Sequence, residues 1–305
     1  MKFNFKYPIA ILVLSTIGFS SCAPSGTSNS DTSSAASAGS SLPNNNPASP
    51  NRVYGVTVDS VTNVPAIVTS LSKLAFKPTT RIVFDENTPA TAYTSAAAEI
   101  HKVSNVMGEI LDSFYVPGIT PAAYQARTVE YMTALGDNVD IWEIGNEING
   151  EWLGATPDVV AKMNGAYTEV KSRGKKAALT LYYNEGCYAG QANEMFTWAE
   201  ANVSAAMKQG LDYVFISYYE DDCNNLQPAW PAVFKKLGAM FPNSKIGFGE
   251  AGTLNTANKA AFIQRYYSMK IDEPNYVGGV FWWFFLQDCV PSTNPLWNTF
   301  NTAIQ

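Results

Sequence analysis

The chain has 305 residues, 46% of them hydrophobic and 15% charged, with a formal net charge of -6. That is apolar material for a sizeable core and too little charge for a disordered protein. The acidic balance and the lack of any visible basic face exclude nucleic acid as a partner.

In chain order, the first feature is an N-terminal extension. Lys2 and Lys6 precede an apolar run from about Pro8 to Phe19, and Ser20 and Ser21 lead to Cys22. Residues 1–21 read as an export signal, too short to span a membrane as a structural helix. Cys22 at the end of this run resembles the lipidated cysteine of bacterial lipoprotein signals, which implies a chain anchored to a membrane or cell surface through Cys22; the other reading is a cleaved signal and secretion. Losing residues 1–21 removes Lys2 and Lys6 and no acid, moving the net charge from -6 to -8. Residues 22–51, mostly Ser, Ala, Asn, Gly, Thr and Pro with Asp31 the only charge, read as a flexible tether. The folded part is expected over 52–305.

Within it, apolar runs at 53–58, 81–86, 105–111, 139–147, 176–183, 211–219, 245–250 and 276–285 read as strands. Helical patterns lie between them, among them 120–135 and 156–174, which both open with Thr-Pro, a helix-start signal. Strands alternating with helices imply an α/β protein with a parallel sheet and crossover helices. The stretch from Arg52 to Gln305 matches the ~250 residues of a closed (β/α)8 barrel, a TIM barrel in a single domain. The alternative, an open doubly wound sheet, is disfavoured because no Gly-rich phosphate fingerprint follows the first strand.

Active-site chemistry in such a barrel sits at the carboxyl ends of the strands. Strict alternation along the fourth strand places Ile141, Glu143, Gly145 and Glu147 on one face, with Glu147 at the mouth and Glu143 deeper. Arg81 on the second strand is the natural partner for Glu143 or for a catalytic carboxylate nearby. Glu250 ends the seventh strand between glycines, although alternation groups it with Ile246 and Phe248. It therefore points inward only if the strand end bulges or Phe248 lines the barrel. Two carboxylates across one barrel mouth can share a glycosidic bond, one protonating the leaving oxygen and the other attacking the anomeric carbon.

Asn146-Glu147 ending strand four, with a lone Glu250 ending strand seven, resembles the clan A (β/α)8 retaining glycoside hydrolases. The resemblance implies that Glu147 is the acid/base, Glu250 the nucleophile and Asn146 a contact to the sugar 2-hydroxyl. It further implies a site arginine at Arg81, an aromatic on strand six at Tyr218 or Tyr219, and a tryptophan on strand eight at Trp282 or Trp283, with Tyr218 and Trp282 taken first. Ile148 stands where many members have Pro, and the lone histidine, His101, falls on a helix pattern as a packing or surface residue.

Trp152, Tyr182, Tyr183 and Tyr188 add flat faces for sugar rings near the strand ends. Acids at or after strand ends, namely Asp59, Asp85, Glu86, Asp112, Glu185, Glu220, Asp221, Asp222 and Asp288, form an acidic rim that favours a neutral or cationic polysaccharide. The expected protein is a monomeric endo-acting β-glycosidase needing no metal or cofactor. A transglycosylase on the same scaffold and a non-catalytic surface glycan-binding protein are the alternatives. Cys187 and Cys223 follow strands five and six and are expected to pair, leaving Cys289 as a free thiol.

Overall fold

The computed structural model describes residues 52–305; the expected export signal, Cys22 and the tether lie outside the described residues. Eight strands close into a parallel barrel in sequence order: β1 (Val53–Val58), β2 (Thr79–Val83), β3 (Asn105–Glu109), β4 (Ile141–Gly145), β5 (Lys176–Tyr182), β6 (Tyr213–Tyr218), β7 (Lys245–Ala251) and β8 (Tyr276–Trp282), with β8 pairing back to β1. Helices α1 (Val64–Ser72), α2 (Thr94–His101), α3 (Pro121–Leu135), α4 (Thr156–Ser172), α5 (Met195–Asn202), α6 (Ala205–Gly210), α7 (Trp230–Met240) and α8 (Lys259–Tyr267) lie between the strands. Two more, α9 (Phe285–Cys289) and α10 (Pro295–Ala303), follow β8. The expected (β/α)8 barrel is therefore the fold.

The local chemistry explains several boundaries. Thr120 caps α3, its hydroxyl accepting from the Ala123 amide at 3.2 Å, while Pro121 occupies the first turn, where a missing N–H costs nothing. The second strand stops at Val83, short of the expected 86, because the Asp85 amide turns to donate to the Tyr93 hydroxyl at 2.8 Å. The eighth stops at Trp282, and residues 285–289 form a short helix where strand was expected.

Two apolar layers separate along the strands. Met107, Ile141, Ala178, Tyr213, Phe215, Val277 and Phe281 fill the barrel interior. Ile82, Trp142, Ile144, Leu179, Ile216, Phe248 and Trp282 pack outward against the helices. Above the inner plug the bore turns polar: Arg81, Glu109, Glu143 and Thr180 are all buried there. Cys187 and Cys223 form the expected disulfide between the loops after β5 and β6, and Cys289 is free and buried.

Pairing slips at four places, and two of the slips shape the mouth. Between β6 and β7, Ile216 pairs with Phe248 and Ser217 with Glu250, so Gly249 is an extra residue. Between β4 and β5, Glu143 pairs with Ala178 and Gly145 with Leu179, so Ile144 is extra. Such bulges re-aim the side chains that follow them.

Candidate active site

At the end of β4 the bulge cancels the alternation expected from sequence. A Cβ on Gly145 would meet Ile148 and Leu179 in the outer layer, so Gly145 faces outward, not inward with Glu143. Asn146 then points into the mouth. Glu147 follows with φ of +47°, in the left-handed region that a non-glycine residue rarely adopts, and this turn brings its carboxyl to the mouth as well. The two site residues thus owe their direction to a bulge and a left-handed turn.

The corresponding device on β7 resolves the question over Glu250. Gly249 and Glu250 both face inward: a Cβ on Gly249 would lie 2.6 Å from the Phe215 Cβ and 2.9 Å from the Thr180 hydroxyl, inside the barrel. Phe248 stays in the outer layer. Of the two conditions under which Glu250 points inward, the bulge is the one that holds.

Three donors converge on Glu250. Arg81 Nη1 reaches Oε2 at 2.6 Å, the Tyr219 hydroxyl donates to Oε1 at 2.7 Å, and Asn146 Nδ2 donates to Oε2 at 3.3 Å. Asn146 is itself oriented by the Ser113 amide, which donates to its Oδ1 at 3.0 Å. Burial and the Glu250 carboxylate push the Tyr219 phenol far up, so it keeps its proton for that bond.

Glu147 has a different environment. Ser113 Oγ lies 2.7 Å from Oε2 and Ser217 Oγ 2.7 Å from Oε1, and no cation pairs with it among the described residues. Burial first, and the nearby charge of Glu250 second, push the Glu147 carboxyl up to about 8, against the two serine bonds that favour its ionised form. Glu147 is thus held toward its protonated form, and Glu250 is the carboxyl group on which donors converge.

Beneath them, Arg81 is fully buried and donates to Glu143 through Nε at 2.7 Å and Nη2 at 3.3 Å, as well as to Glu250. Glu143 also accepts from the Thr180 hydroxyl. The arginine expected to serve either Glu143 or a carboxylate nearby bonds both Glu143 and Glu250.

The aromatic assignments need correction on two strands. Tyr218 faces the helix layer, its hydroxyl bonded to the Leu226 carbonyl and its ring against Tyr183 and Trp230. Ser217 and Tyr219, the residues on either side, take the mouth positions. Trp282 is likewise outside the bore, its Nε1 donating to Asp288 Oδ2 at 2.9 Å, and Trp283 lies with its ring centroid 5.7 Å from the Arg81 guanidinium carbon. The bulged end of β8 sets this parity.

Trp152 is 40% exposed, edge-on to Tyr182 with centroids 5.3 Å apart, and donates to Ser113 Oγ at 3.2 Å. Tyr183, by contrast, packs in the core against Tyr218 and Trp230. The rim is less acidic than its sequence, because Glu220 is buried against Arg265 at 2.5 Å and Asp288 against Lys259 at 2.6 Å.

Sequence reasoning passed over Ser113, Ser217 and Glu109, and saw Asp112 only as a rim charge. Burial, and then the charge of Glu250, push Asp112 up to about 6. The available signal for Glu109 was a lone carboxylate in an apolar strand, which directly pairs with Glu143. Among the described residues no group of three or more His, Cys, Asp or Glu side chains is placed to hold a metal ion.

The sequence matches no protein-family model and no curated protein. Its fold is shared with solved structures. A GH18 chitinase from Pseudoalteromonas aurantia aligns over 82% of this chain and 99% of its own, at 14% identity and a TM-score of 0.51. Saccharomyces cerevisiae Gas2p in complex with laminaritriose and laminaritetraose aligns over 83% of this chain and 64% of its own, at 12% identity and a TM-score of 0.53. An FMN-binding beta-glucuronidase from Facaelibacterium prausnitzii L2-6 aligns over 78% of this chain at 15% identity and a TM-score of 0.50, and this chain spans 38% of its length. At these identities the likeness establishes the barrel, and the resemblance to the clan A (β/α)8 glycoside hydrolases holds at the level of the fold.

Proposed function

We propose that the protein is a retaining endo-β-glycosidase acting on a neutral or amino-sugar polysaccharide. The observation that carries this reading is the contrast between two carboxyl groups in one barrel mouth: Glu147, holding a proton to about pH 8, and Glu250, ringed by Arg81, Tyr219 and Asn146. In the first step a Glu250 oxygen bonds to the anomeric carbon as the glycosidic C–O bond breaks. The leaving oxygen takes the proton from Glu147. In the second, Glu147 takes a proton from water, the hydroxyl attacks the same carbon, and the bond to Glu250 breaks. Arg81 and Tyr219 aim the nucleophile, and Trp152 offers a ring face to a sugar beside the acid.

A chitinase and a laminarioligosaccharide complex among the fold neighbours make β-glucans and amino-sugar polymers the first candidates to test. The N-terminal pattern supports export, with anchoring at Cys22.

The test is product release from a panel of neutral, amino-sugar and acidic polysaccharides, with products sized. Glu250→Ala is expected to abolish release with the circular dichroism spectrum unchanged. Glu147→Ala is expected to lose at least about 100-fold on polysaccharide while sparing substrates whose leaving group needs no proton. Wild-type rates in either variant on polysaccharide would sink the assignment. Products longer than the substrate would assign transfer to a sugar hydroxyl in place of hydrolysis.

A further inference from the structure

Glu109 ends β3, pairs directly with Glu143 on β4 and with Val83 on β2, and is 0% exposed. Its Oε2 lies 3.1 Å from Arg81 Nη2, yet among the described residues neither carboxyl oxygen has a hydrogen-bond partner. The guanidinium has already committed its Nε and Nη2 to Glu143 and its Nη1 to Glu250. One buried cation therefore faces three carboxyl groups.

The charged or titratable groups around Glu109 are Arg81 from β2, Glu143 from β4, Glu250 from β7, Asp112 from the loop after β3, and the phenol of Tyr124 on α3. Only Arg81 is positive. Three ionised carboxylates against one guanidinium would leave two negative charges uncompensated in a medium of low polarizability, an arrangement a fold avoids by keeping a group neutral. Glu143 accepts three bonds, from Arg81 twice and from Thr180, and Glu250 accepts three, from Arg81, Tyr219 and Asn146. Donors thus converge on both, and at Glu143 the bonds from Arg81 and Thr180 oppose the upward push of burial. Glu109 accepts none.

We propose that Glu109 is a positioning residue kept as the neutral carboxylic acid, which leaves the single charge of Arg81 free to serve Glu143 and Glu250 together. An ionised Glu109 would compete for Nη2 and draw the guanidinium toward β3, away from the nucleophile. Burial, largest of the causes, and the neighbouring carboxylates push the Glu109 carboxyl well up against the pull of Arg81, which agrees with the geometry.

The test uses the full chain and needs no substrate. Infrared spectroscopy reads the carbonyl stretch of an un-ionised carboxylic acid apart from the amide bands. Glu147 would contribute at neutral pH, so the comparison is made at pH 8 in a Glu147→Gln background, with and without Glu109→Gln. The acid carbonyl band is expected in the background variant and is expected to vanish when Glu109→Gln is added. Absence of the band from the background, or its survival in the double variant, would overturn the proposal.

A kinetic readout separates this role from a plain ion pair. Glu109→Gln alone, a neutral isostere, is expected to leave the acid limb of the pH profile in place. If Glu109 is instead an ionised competitor for Arg81, removing its charge strengthens the hold of Arg81 on Glu250 and moves the acid limb to lower pH. The reading rests on Glu250 as nucleophile only for this kinetic part. An enzyme inactive on every polysaccharide would count against the proposed function, while the infrared result would stand by itself.

Discussion

At the scale of single residues, Glu147 ties function to stability. Its folded pKa, about 8, lies above the ordinary carboxylate value of 4.5. The stability this group contributes is therefore fully present below pH 4.5 and lost as pH rises through about 8. Glu147→Gln, which cannot ionise, is expected to melt with the wild type near pH 4.5 and roughly 10 °C above it beyond pH 8, as seen by calorimetry across the pH range. A constant offset at all pH values would show that ionisation is not the cause. The serines act in the opposite sense, because each bond to the carboxyl favours the ionised form. Ser217→Ala should carry the alkaline limb of kcat/KM upward by about one pH unit, and a downward move would show that Ser217 stabilises the acid form instead.

Strands and loops decide where those residues point. The Gly249 bulge is what gives Glu250 its direction, and a methyl group there would lie within 2.6 Å of Phe215 and 2.9 Å of Thr180. Gly249→Ala is expected to keep the barrel, by circular dichroism, and to lower kcat about 100-fold by displacing Glu250, the proposed nucleophile. An unaltered kcat would mean that the bulge tolerates a side chain and does not set the aim. The same bulges mark what was legible in the sequence. All eight strands could be read from apolar runs and their spacing, because burial between helices and bore imposes the pattern. Asn146, Glu147, Glu250 and Arg81 could be placed at strand ends or in the bore for the same reason. Tyr219 and Trp283 could not be told from Tyr218 and Trp282, since a one-residue slip reverses every later side chain and nothing local announces it. Ser113 and Ser217 were invisible because a lone serine at a strand end has no distinctive pattern.

Across the whole molecule the mouth is tied unevenly. The loops after β5 and β6 are joined by Cys187–Cys223, and the β6 loop is also clamped through Glu220 to Arg265 and Tyr266 on α8. A disulfide closing a segment with a sequence separation of 36 residues is worth about 2–4 kcal/mol by the chain-entropy argument. Reduction, or the Cys187→Ser/Cys223→Ser pair, should lower Tm by roughly 5–10 °C, and a Tm unchanged by reductant would show the loops are held without it. The barrel closes at β8, where Gly278, Gly279, Val280 and Phe281 all have positive φ and pairing with β1 slips. Val280, at φ of +78°, has a branched side chain that disfavours this conformation, so the closing seam stores strain. Arg81 meanwhile spans the bore from β2 to Glu250 on β7, the two strands on either side of the β8–β1 pair. Any slackening of that closure lengthens the strut before it separates a strand. On warming, activity is therefore expected to fall before the fold is lost, which residual activity compared with calorimetry over the same temperatures would check.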